Sequence, residues 1–230
     1  MAYGTDTIKK VDKIFGPGNQ YVNEAKVQVS RDVAIDMVAG PSEVMILADD
    51  TAVASFISAD MLSQAEHGPD SQSILLTTSP SVAKQVSQLL EEQMSGLSRG
   101  DIINRSIKNS RIIVLSSVDE MIQYSNSYAP EHLILAIEEA ERYCNKILNA
   151  GSVFLGNYSP ETVGDYCSGT NHTLPTAGCA KSTGGVSLSS FLKRITFQEI
   201  SKEGILLVGP IASVMADAEG LTAHKLAVDE

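Results

Sequence analysis

From Val44 onward the chain alternates short apolar runs with stretches of helical period. Val44–Ala48 is a continuous apolar run of buried-strand type. Ala52, Val53, Phe56, Ile57, Met61 and Leu62 then recur at helical spacing, and Gly68-Pro69 stops that helix. The same reading gives a strand from Ser73, a helix over 81–97, a strand at Ile112, and a short helix around Met121. A strand at Leu133, a helix over 138–149 ending at Gly151, and a fifth strand at Ser152 complete the series. Strands regularly separated by helices predict an α/β fold, a mostly parallel sheet with helices on both faces. Such a sheet places its ligand crevice outside the carboxyl ends of the strands.

The flanks differ. Residues 1–41 hold a Gly16-Pro17-Gly18-Asn19 turn, a helix from Gln20 to Val29 and a short strand at Val33–Asp36, too little to close a domain alone. After Asn157 comes a polar, glycine-containing stretch to about Gly185 without period, long enough to suggest function. A helical tail follows, with Leu206, Leu207, Ile211, Val214 and Met215 on its apolar side. Pro210 either kinks that helix or begins its second part. The tail is expected to dock on its own domain or on another chain. These divisions predict three regions: 1–41, an α/β core over 42–185, and a helical tail over 186–230.

Composition narrows the function. The chain has 230 residues, 43% of them hydrophobic and 20% charged, enough to bury a core without staples. A net charge of −11 argues against nucleic acid, whose phosphates require a basic surface. No apolar run approaches the roughly 20 residues of a membrane-spanning helix, and Met1–Thr5 lacks a secretory signal's basic flank. Cys144, Cys167 and Cys179 have no metal-type spacing and read as reduced thiols, which predicts a cytoplasmic protein.

Four histidines are the candidates for chemistry. Gln64 and His67 share a helix face and by themselves read as a solvated helix C-terminus, where an imidazole is electrostatically favoured. Glu131-His132, before a strand, is either an acid/base pair or a solvated turn. Asp165 and His172 lie in the polar stretch and are donors suited to zinc, while Glu219 and His224 flank Gly220-Leu-Thr-Ala in the tail. The Gly16–Asn19 turn before a helix either caps it or presents amides to a phosphate.

As strings, these segments resemble a known family. Lys10–Asn19 (KVDKIFGPGN), Ile35–Glu43 (IDMVAGPSE), Leu62–Gln72 (LSQAEHGPDSQ), Tyr128–Leu133 (YAPEHL), Gly164–Thr176 (GDYCSGTNHTLPT) and Glu219–His224 (EGLTAH) are similar, in order, to histidinol dehydrogenase. The resemblance implies an incomplete Rossmann-like fold and a zinc- and NAD-dependent enzyme with one zinc per chain. Such an enzyme oxidises L-histidinol through the aldehyde to L-histidine, the last step of histidine biosynthesis. It implies Gln64, His67, Asp165 and His224 as zinc ligands, all four also touching substrate, and Glu131 and His132 as the catalytic pair. Ser42, His132, His172 and Glu219 match further substrate contacts, and Asn19 matches a residue on the NAD side. It further implies a homodimer whose C-terminal tails cross, so that Glu219 and His224 complete the partner's site. Cys179 and Leu226 depart from the family pattern at positions with no named role. The match covers about the C-terminal half of a typical member, so the chain is expected to be a fragment of a working enzyme. The alternatives are a non-catalytic, zinc-binding or dimerising remnant, and a related dehydrogenase for another small alcohol.

Overall fold

The computed structural model describes residues 1–230, which divide into two units, Met1–Phe191 and Leu192–Glu230. The first unit opens with β1 (Lys13–Ile14), α1 (Gln20–Val29) and β2 (Ala34–Ile35), the two short strands pairing parallel. Lys26 of α1 and Asp36 after β2 form a buried ion pair. Lys26 Nζ also donates to the Gly16 carbonyl at 3.0 Å, and Asp36 Oδ2 accepts from Gly16 N–H at 2.9 Å. The pair therefore grips the turn ahead of α1 from both sides.

The core follows as β3 (Glu43–Ala48), α2 (Ala54–Ala65), β4 (Gln72–Thr77), α3 (Pro80–Met94), α4 (Gly100–Ser106) and β5 (Arg111–Val114). It continues through α5 (Val118–Tyr128), β6 (His132–Ala136), β7 (Ser152–Leu155) and α6 (Glu161–Tyr166). Five strands form one parallel sheet in the order β5-β4-β3-β6-β7. The central β3 is buried throughout, and its side chains alternate between the two faces. Val44, Ile46 and Ala48 join one apolar cluster with Ile57 and Met61 of α2, Val86 of α3 and Ile103 of α4. Met45 and Leu47 join the other, with Met121 and Ile122 of α5. Helices thus cover both faces, as the alternating pattern predicts.

Three elements depart from the pattern. The helix expected over 138–149 is a 3₁₀ segment, Ala140–Lys146. Glu139 takes a left-handed backbone (φ 50°), and Glu138 N–H is held by Asp49 Oδ2 at 2.7 Å, so an α-helix cannot start there. Ala140 and Tyr143, three apart, still reach the core, because a 3₁₀ turn aligns residues at that spacing. The aperiodic stretch after Asn157 contains α6, and α4 had no sequence signal.

In the second unit α7 (Lys202–Ala218) runs through Pro210 without interruption. Gly220, with φ 72°, turns the chain into α8 (Thr222–Asp229). Lys225 Nζ of α8 donates to Ser213 Oγ of α7 at 2.7 Å, and Gly209 lets Val228 approach closely. Leu206, Leu207, Ile211, Val214 and Met215 are exposed. No helix is long and apolar enough to cross a membrane.

Candidate active site

The register of the sheet brings the candidate residues together. Glu43 of β3 pairs with Gln72 of β4, and Val44 with His132 of β6, so three strands begin side by side. Ser42 precedes β3 and Glu43 opens it, Glu131-His132 leads into β6, Gln64 lies in the last turn of α2, and His67 follows in the α2–β4 connection. The cluster therefore forms at the amino ends of the parallel strands, opposite to the end where a doubly wound sheet was expected to bind its ligand.

Backbone constraints set the carboxylate and imidazole in place. Helix α5 ends at Ala129 in a left-handed conformation (φ 63°), a rare state for a residue with a Cβ, and Pro130 follows. The chain turns there into Glu131 and His132, both buried. Glu131 Oε2 accepts from Glu43 N–H at 2.8 Å. His132 Nδ1 lies 3.2 Å from the Glu43 carbonyl, which can only accept, so Nδ1 is the protonated nitrogen of that bond. Nε2 then faces Asp165 Oδ1 at 3.4 Å. Both of these atoms are buried and neither completes a hydrogen bond.

Two further carboxylates close the site. Glu161 Oε1 lies 3.9 Å from His132 Nδ1, and donor atoms of His67, Glu161 and Asp165 fall within 4.8 Å of one another. Gln64 is fully buried, with its amide against Glu161. Asp60, one turn earlier on α2, adds its charge to that of Glu131 and Asp165 in the field at Glu161. Burial pushes Asp60 up to about 7. Burial, only partly offset by His132, pushes Glu131 to about 7. Burial and the neighbouring Asp165, Glu131 and Asp60 charges likewise carry Glu161 to about 8. Burial alone would lower the His132 imidazole, but Asp165, Glu161 and Glu131 outweigh it and raise it to about 9. Asp165 is lowered despite its burial, held down by His132 and by the charges of His67 and His172. An excess of buried carboxylates around one imidazole is a field that favours a cation.

The remaining predicted residues fall into two groups. A cleft of about 600 Å³ is lined by Asn19, Ser42 and His67, so these share one opening. Asn19 caps α1, its Oδ1 accepting from Tyr21 and Val22 N–H at 3.1 and 3.2 Å. The Asn19 side chain thus meets two of the first amides of α1. His172 is exposed in the loop after α6, near enough for its charge to act on Asp165. Glu219, at the end of α7, and His224, in α8, are exposed residues of the second unit.

Sequence reasoning missed Glu161 and Glu43. Glu161 stands four residues before Asp165, a same-face helical spacing legible only once α6 is known to be a helix. Glu43 is buried, and its Oε1 accepts from Ala177 N–H at 2.9 Å, tying the loop after α6 to β3. It lies inside the Gly-Pro-Ser-Glu run but carries no signal of its own.

Fold and site together define an α/β protein with a cation-type cluster of imidazole, carboxylate and amide at the amino ends of its parallel sheet. The family model described as histidinol dehydrogenase matches residues 1–230, and the chain belongs to that family. The histidinol dehydrogenase of Bacteroides fragilis (strain YCH46) is 56% identical over 229 residues, 99% of this chain and 54% of that protein. A crystal structure of histidinol dehydrogenase from Elizabethkingia anophelis superposes with a TM-score of 0.97 at 57% identity, covering 100% of this chain and 53% of that one. Gamma-glutamyl phosphate reductase from Thermotoga maritima shares the fold alone, at 15% identity, with a TM-score of 0.51 over 82% of this chain and 53% of that one. The chain spans about half the length of the curated relatives it matches.

Proposed function

We propose that this chain carries the metal and acid–base side of a zinc- and NAD-dependent oxidation of L-histidinol to L-histidine through the aldehyde. The observation that carries the reading is the facing pair of buried atoms His132 Nε2 and Asp165 Oδ1, 3.4 Å apart with neither completing a hydrogen bond, beside Gln64 and His67. Burying two polar atoms without a completed hydrogen bond is costly unless a ligand meets them. The donor set fits zinc: imidazole and carboxylate suit this borderline ion, and Gln64 supplies a neutral oxygen. His224 of the second unit is the remaining proposed ligand.

Zinc, when bound, supplies Lewis acidity and orients a substrate bearing an imidazole and an amine, while NAD accepts hydride. Ser42, His172 and Glu219 are proposed to hold that substrate, and Asn19 to meet NAD at the shared cleft. His132 is the general base for the alcohol proton: with Nδ1–H on the Glu43 carbonyl, Nε2 is the nitrogen left to accept it. With a positive ion among the carboxylates, His132 loses part of the field that raises it, and the neutral imidazole becomes accessible. Glu131, buried and carried to about 7, is suited to take the proton of the water that attacks the aldehyde. Burial of this pair excludes bulk water while the aldehyde is held.

The exposed apolar residues of α7 support a homodimer, in which Glu219 and His224 complete the partner's site. The three free cysteines suit a reducing cytoplasm. Zinc content measured on a size-exclusion peak of defined mass tests the reading. About one zinc per chain in a dimer, with NADH formed from L-histidinol, is the expected result. A zinc-free peak rejects it for this chain.

A further inference from the structure

Glu161 opens α6 and is 1% exposed, yet none of the roles above uses it. The edge of the Gln64 amide that faces it lies 2.8 and 3.0 Å from its two oxygens. The two oxygens of an ionised Glu161 can be met there only by the NH2 edge, since neither they nor a carbonyl oxygen has a proton to offer. The amide is planar, so committing its nitrogen to Glu161 turns Oε1 to the opposite side. Without that contact the amide has two orientations of similar shape, and one of them would present NH2 to a cation. Gln64 is itself fully buried, so water cannot set the orientation instead.

We infer that Glu161 is a positioning residue for Gln64: its carboxylate holds the amide nitrogen, so that the carbonyl oxygen is presented as a donor to a cation at the His67–Asp165 cluster. This rests on the zinc reading above. The competing role is direct ligation, because a Glu161 oxygen belongs to the group with His67 and Asp165 that spans 4.8 Å. The contact of both Glu161 oxygens with one amide favours positioning.

The two roles separate in a double-mutant cycle on the full chain, with zinc alone as probe and affinity read by competition with a chromophoric chelator. Glu161→Gln is expected to weaken zinc binding by about 10- to 100-fold, the usual effect of removing a group that orients a ligand. In a Gln64→Ala background the same substitution should change affinity by less than about threefold, because the group it acts through is gone. Equal losses in both backgrounds would make Glu161 a ligand in its own right and overturn the inference, as would an unchanged affinity in the single variant. Failure of the zinc reading itself looks different: the unsubstituted chain would bind no zinc, and Asp165→Asn would make no difference. Unfolding of each metal-free variant, followed by circular dichroism, checks folding. Should Glu161→Gln not fold, Glu161→Asp, which withdraws the carboxylate by one methylene, takes its place with the same expected pattern.

Discussion

His132 Nε2 and Asp165 Oδ1 face one another at 3.4 Å, each buried and neither in a hydrogen bond. Asp165 reaches this position from α6, beyond the last strand, while His132 opens β6. In sequence they are separated by the whole of the β6–β7 connection. With Asp165 as a ligand of the cation and His132 Nε2 left to take a proton, Asp165→Asn should reduce zinc affinity by more than about 100-fold, beyond the effect of losing an orienting group. Chelator competition measures this, and an affinity within a few-fold of the original would reject Asp165 as a ligand.

Gly151 lies directly against the acid–base pair. A Cβ there would sit 2.5 Å from the Glu131 carbonyl oxygen, which is backbone and cannot swing aside. Gly151 N–H also donates to the Pro130 carbonyl at 2.9 Å, so the two segments are locked together. Gly151→Ala should cost about 2 kcal/mol, as overpacking of rigid neighbours does. Urea unfolding at neutral pH reads the change, and an unchanged midpoint would contradict the packing described.

The buried Lys26–Asp36 pair gives a stability term with a defined pH window. Burial by itself would raise Asp36, but Lys26 and the amides of Gly16 and Met37 outweigh it and lower the carboxyl below its usual value. A carboxyl lowered in the folded state stabilises fully above its unfolded pKa, near 3.8, and the contribution is lost as pH falls through the folded value. Asp36→Asn should therefore cost about 3 kcal/mol at pH 7 by leaving Lys26 buried and unpaired. The gap to the unsubstituted chain should narrow below about pH 4. Denaturant unfolding across pH 3–7 tests both the size and the direction.

The apolar stripe on α7 predicts self-association. Leu207→Glu with Ile211→Glu places two charges on exposed positions, so the folded unit should tolerate them. Sedimentation velocity should show a dimer for the unsubstituted chain and a monomer for the double variant. A monomer in both cases would remove the proposed shared site.

Much of the sheet was legible because burial on both faces demands uninterrupted apolar runs. Val44–Ala48 and Leu133–Ala136 could be little else. The segment 138–149 misled for an equally physical reason. Its apolar residues fit a helix, but the left-handed Glu139 and the Asp49 contact to Glu138, both set outside the segment, prevent one. Of the site residues, composition and spacing alone found the histidines and left each reading open. The longer strings fixed the family, because side chains that share a function impose residue types over whole segments.

The sequence by itself determined the order of the five sheet strands, the main helices α2, α3 and α5 between them, and the family, since these depend on local residue patterns along the chain. Only the tertiary structure decided that the cluster forms at the amino ends of the strands and that Glu161 belongs to it. It alone also decided which histidine nitrogen is bound by a backbone carbonyl. Those facts follow from the parallel register that sets Glu43, Gln72 and His132 side by side, and from the packing that returns α6 to them. Register and long-range packing arise between segments far apart in the chain, so no local pattern encodes them.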